Sequence, residues 1–92
     1  MIPTTERIHQ VLARIETLLV ERNAAYGDSA LNPVRIFSEA APSEQLKVRL
    51  DDKLSRIARG RGIEDTEDVL LDLVGYLVLL LVARDIAREA GR

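Results

Sequence analysis

The run Val69-Leu70-Leu71-Asp72-Leu73-Val74-Gly75-Tyr76-Leu77-Val78-Leu79-Leu80-Leu81-Val82-Ala83 contains a single ionisable carboxylate, Asp72. At helical spacing the apolar side chains from Leu73 to Ala83 encircle the cylinder, which predicts a central helix buried on every side. It falls short of the roughly 20 apolar residues that a bilayer span needs. Glu64, Asp65, Glu67 and Asp68 precede it, and Arg84, Asp85 and Arg88 follow. Acids at the start and bases at the end suit the helix macrodipole, as expected for a helix in a soluble protein.

Burying such a helix is hard for a chain of 92 residues, which has room for one domain and one core. The other helices are too short to cover every face, so self-association through the apolar helix is expected, most simply as a two-fold dimer completing a bundle. The alternative is a compact monomer around the same helix.

Composition narrows the function. The chain is 47% hydrophobic but 3% aromatic, so its core is aliphatic. Without cysteine there are no disulfides, thiolate metal sites or cysteine nucleophiles, and a reducing, cytoplasmic setting is expected. No basic segment followed by a cleavable apolar one opens the chain, so secretion is not expected. The 13 basic and 15 acidic residues are interspersed, giving a net charge of -2, which argues against a general nucleic-acid surface. The lone His9 argues against a histidine-rich zinc site, and no nearby motif gives it a catalytic partner.

In chain order, Pro3-Thr4-Thr5-Glu6 predicts a helix start with a hydroxyl cap. Ile8, Val11, Leu12, Ile15, Leu18 and Leu19 recur three and four apart, with Arg7, Arg14, Glu16, Glu21 and Arg22 assigned to the opposite side. Gly27, followed by Asp28-Ser29, predicts a left-handed stop and a turn. Asn32 and Pro33 then predict a short second helix with Val34, Phe37 and Ala41 facing inward, ended at Pro42. Ser43 is expected to cap a third helix with a stripe of Leu46, Leu50, Leu54 and Ile57, and Arg49, Asp52, Lys53 and Arg56 clustered within two turns. Gly60-Arg61-Gly62 breaks it, and Asp65 or Thr66 caps the last helix. The fold class is therefore all-α, with three longer helices and one short.

Asp72 is the residue most in need of explanation, because a carboxylate among leucines is costly unless it meets a cation or donors. A bond to Lys53 or Arg56 makes it structural. A magnesium ion shared with Asp68, one turn earlier and about 6 Å along the axis, makes it catalytic. Gly75 costs about 1 kcal/mol relative to alanine inside a helix, which points to close approach of another backbone or a ligand. Tyr26 and Tyr76, the two tyrosines, could each stack on a nucleobase or simply pack in the core. The chain has no Walker-type loop, nucleophile elbow, zinc helix motif or dinucleotide fingerprint.

Three blocks, Asn23-Ala24-Ala25-Tyr26-Gly27-Asp28-Ser29-Ala30, Arg49-Leu50-Asp51-Asp52-Lys53-Leu54-Ser55-Arg56-Ile57 and Asp65-Thr66-Glu67-Asp68-Val69-Leu70-Leu71-Asp72-Leu73-Val74-Gly75-Tyr76, resemble in order the signature blocks of the nucleotide modification associated domain 1 family of phages and bacteria. That family looks related to the MazG-like all-α nucleotide pyrophosphohydrolases. The resemblance implies a four-helix, oligomeric, nucleotide-handling domain spanning residues 1–92, in the cytoplasm of a bacterial or phage-infected cell. Its site would lie between the third and fourth helices. One version is a magnesium-dependent pyrophosphohydrolase in which Asp68 and Asp72 hold the ion, Asp52 assists, Lys53 and Arg56 grip phosphates and Tyr26 or Tyr76 packs on the base, with Arg49 a further ligand-binding candidate. The departure from the family pattern is on the third helix, where Lys53 and Arg56 stand in place of further glutamates and suit direct phosphate binding. That implies the other version, a protein that binds a nucleotide without hydrolysing it, as a sponge for a signalling nucleotide or an accessory to base modification. A third reading leaves Asp72, Lys53 and Arg56 as a network that sets helix register.

Overall fold

Three α-helices make up the regular structure among the residues described by the computed structural model, which are 1–33, 37–60 and 67–91. They are α1 (Thr4–Ala25), α2 (Pro42–Arg59) and α3 (Glu67–Ala90). No strand occurs among the described residues, so the all-α class holds. The expected short helix is not seen where its ends are described. Asn32, Pro33 and residues 37–41 are non-helical, while Val34 lies outside the described residues. Phe37 is 98% exposed and Ala41 is exposed, so neither forms an inward face.

Local chemistry accounts for the helix ends. At the end of α1 the Asp28 N–H donates to the Asn23 carbonyl at 3.0 Å and the Gly27 N–H to the Ala24 carbonyl at 3.3 Å. Gly27 has φ +62°, the left-handed stop its sequence suggests, and these bonds form a Schellman motif. Asp28 follows at φ 60°, a conformation that aspartate tolerates better than most residues. Asn32 closes this turn instead of opening a helix, its side-chain amide donating to the Asp28 carboxylate and its N–H to the Asp28 carbonyl at 2.9 Å.

Neither α1 nor α2 has the hydroxyl cap that its sequence suggests. Pro3 and Ala41 occupy the two N-cap positions, without a side-chain cap bond. Pro42 opens α2 at a position where its missing N–H costs nothing. The Gly60 N–H donates to the Arg56 carbonyl at 2.9 Å and ends α2. Arg61, Gly62 and the cap candidates Asp65 and Thr66 lie outside the described residues.

The helices α2 and α3 form the principal interface, whereas α1 meets α3 over a short crossing. Pro42 and Ser43 at the start of α2 share a small cavity with Ala83 and Ile86 late in α3, while Lys53 meets Asp72, so the pair is antiparallel. Leu46 and Leu50, one turn apart on α2, are buried. Leu54 is exposed and Ile57 half-buried, so the expected stripe on α2 is covered only along its first half.

The expectation that α3 is buried on every side fails within one chain. Leu77, Val78, Leu81 and Val82 are exposed, because the α2 interface and the short α1 crossing leave part of the cylinder bare. The amphipathic helix α1 buries no residue; Ile15, Leu18 and Leu19 are half-buried, and Ile8, Val11 and Leu12 are exposed. No described helix is long and apolar enough to cross a membrane.

Candidate binding site

Where α1 crosses α3, the absence of a side chain at Gly75 lets the helices approach. A Cβ built on Gly75 would lie 3.0 Å from Leu19 Cδ2. Gly75 is buried, and the close approach its sequence position suggests is a helix–helix contact.

One turn before Gly75, the Asp72 carboxylate receives two cations from different helices. Lys53 Nζ on α2 donates to Oδ2 at 3.0 Å, and Arg22 Nη1 on α1 donates to Oδ1 at 3.3 Å. The Lys53 side chain is 16% exposed and that of Asp72 30%. Burial raises the Asp72 pKa, but the bond and charge of Lys53, and then those of Arg22, outweigh it and hold the carboxyl below its ordinary value of 3.8. Asp72 therefore ties all three helices together.

Beside this junction a cavity of about 510 Å³ opens to solvent. The end of α1 and the turn after it contribute Arg22, Asn23, Tyr26 and Ser29, α2 contributes Arg49, and α3 contributes Asp72, Gly75 and Tyr76. The Schellman turn places Tyr26 and Ser29 in the wall, and the antiparallel packing of α2 on α3 brings Arg49 near Tyr76. Both arginines carry charge into the cavity, and the sole carboxylate in its wall among the described residues, Asp72, is already bonded to Arg22 and Lys53. Arg49 has no carboxylate partner among the described residues.

The cavity thus assembles Asp72, Arg49, Tyr26 and Tyr76 from the sequence candidates, with Lys53 held at its edge through Asp72. Asp68, Asp52 and Arg56 stay outside its wall. Arg56 instead pairs with Asp52 at 3.2 Å across an exposed helical turn, and Asp68 is exposed at the start of α3. Arg22 corrects the sequence assignment, since it belongs to the site and not to the solvent side of α1. It lies three residues after Leu19 and seven after Ile15, so it continues their stripe, as Tyr26 does four residues later. Asn23 and Ser29 are also lining residues that had no assigned role.

Comparison with protein-family models, curated proteins and solved structures gives no match.

Proposed function

We propose that this protein is a nucleotide-binding domain that holds its ligand in the cavity between α1, α2 and α3. Arg49 takes a phosphate, Arg22 adds a second cation beside Asp72, and the base packs against Tyr26 or Tyr76. The observation that carries this reading is Arg49, which among the described residues has no carboxylate partner, in a cavity whose one acid among those residues, Asp72, is already neutralised. A volume of about 510 Å³ suits a mononucleotide-sized ligand, and guanidinium groups match phosphate oxygens in fork geometry. The choice of a nucleotide over another aromatic anion rests on the resemblance to the nucleotide modification associated domain 1 family. A MazG-like four-helix arrangement and self-association belong to the same proposal.

Capture without hydrolysis is favoured over a magnesium-dependent pyrophosphohydrolase. The two Asp72 oxygens accept from Arg22 and Lys53, so a magnesium ion at Asp72 would compete with both cations. Asp68, its intended partner, is outside the cavity wall. No group of three His, Asp or Glu side chains placed to share an ion occurs among the described residues. Among the described residues this donor set does not fit a resident magnesium ion.

The test is incubation of the protein with nucleoside triphosphates and cyclic nucleotides, with and without magnesium, followed by chromatography of the products. Capture predicts nucleotide that stays with the protein and returns intact on heating. Monophosphate and pyrophosphate released only with magnesium would establish hydrolysis instead.

A further inference from the structure

Beyond the crossing at Leu19 and Gly75, the apolar stripes of α1 and α3 continue without covering each other. On α1 the stripe runs back through Leu12, Val11 and Ile8, and on α3 it runs forward through Val78, Val82 and Ile86, at helical steps of three and four. All six side chains are exposed. The two helices form an open wedge with apolar walls, and α1, with no buried residue, depends on that wedge being filled. Even a 22-residue helix gets most of its stability in a protein from packing an apolar face.

The size of the deficit indicates what fills it. The chain exposes 7368 Å², whereas a folded monomer of this mass exposes about 5,400 Å². Its radius of gyration is 15.3 Å, against about 12 Å for a compact chain of this length. The surplus of about 2,000 Å² exceeds the ~800 Å² that each partner buries in a standard interface. A flexible peptide would cover one wall. A second copy brings a wedge of its own, so two chains related by a two-fold axis can each lay α1 into the wedge of the other and cover all four walls.

We infer that the wedge between α1 and α3 is a homodimer interface. This places the proposed self-association on named helix faces and stands apart from the identity of the ligand, so a monomeric result would leave the nucleotide test untouched. The measurement is the mass of the full chain by sedimentation equilibrium from low to high micromolar concentration, with helicity read by circular dichroism. Wild type is expected at twice the chain mass. Leu12→Glu and Ile86→Lys, one on each wall, are each expected to remove the dimer, whether the released chain stays helical or unfolds. Val48→Glu alters an exposed apolar residue on α2 and is expected to leave the dimer intact. A wild-type monomer throughout the range would overturn the inference, whether another partner or closure of α1 onto α3 covers the wedge. A dimer indifferent to both wall variants, or one broken only by Val48→Glu, would overturn it as well.

Discussion

Lys53 on α2 donates to Asp72 on α3 at 3.0 Å, and this contact joins the two helices that share the main interface. Arg22 completes the arrangement from α1, so one carboxylate meets cations from both neighbouring helices. This explains how a charge is tolerated in the apolar run of α3 and leaves Arg49 as the cation open to a ligand.

Removing the half-buried partner should cost more than removing an exposed one. Lys53→Met keeps the aliphatic stem but leaves Asp72 with Arg22 alone, and is expected to lower stability by about 2 kcal/mol. Arg56→Ala breaks the exposed pair with Asp52 and should cost under about 1 kcal/mol. Urea unfolding at neutral pH compares the two; equal losses would mean that the Lys53 bond contributes no more than a solvated pair.

The depressed pKa of Asp72 fixes a pH dependence. Because the folded chain holds the proton less tightly than the unfolded chain, the contribution of Asp72 is complete above the ordinary carboxylate value of 3.8 and disappears as pH falls through the lower folded value. Wild type should therefore lose stability in that acid window more steeply than Asp72→Asn. Parallel acid-unfolding curves for the two proteins would contradict the ion-pair account.

Asp72→Asn also separates structure from ligand attraction. It removes the charge that holds Lys53 and Arg22, so stability should fall, while the cavity becomes more positive and should bind inorganic phosphate more tightly. Phosphate titration at low ionic strength reads the second effect, and weaker binding by a folded variant would show that Asp72 serves the anion site through more than charge.

Gly75 tests the crossing with α1. In Gly75→Ala the new methyl group meets the end of the Leu19 side chain, which is only half-buried and has room to shift. The helix-propensity gain of about 1 kcal/mol should offset that contact, leaving stability unchanged or slightly raised. Gly75→Leu cannot be absorbed in this way and should push α1 away, separating Arg22 from Asp72. Hydrogen exchange at the end of α1 should accelerate in the leucine variant alone.

Much of the local architecture was legible in the sequence because it is fixed by short-range chemistry. The stripe of α1, the stop at Gly27, the break at Gly60 and the apolar run of α3 each depend on residues a few positions apart. What was not legible depends on how far one helix reaches along another. Asp68 and Asp72 share a side of α3, yet Asp72 meets α1 and α2 whereas Asp68 is exposed. The charge of Arg22 points to solvent, although its spacing continues the half-buried stripe of Ile15 and Leu19. Asn32 has the residue type of a helix cap but bonds backward to Asp28, a choice between two local partners that composition does not decide.

The central claim is that Arg49 gives the cavity an anion site for a nucleotide, and calorimetric titration tests it most directly. Wild type and Arg49→Ala would be titrated, in the presence of a chelator, with whichever nucleotide the wild-type protein retains from the panel. Loss of a charge-assisted bond worth about 2 kcal/mol predicts roughly thirtyfold weaker binding by Arg49→Ala, with unfolding unchanged and no requirement for magnesium. Equal affinities for the two proteins, or binding that appears only when magnesium is restored, would contradict the account.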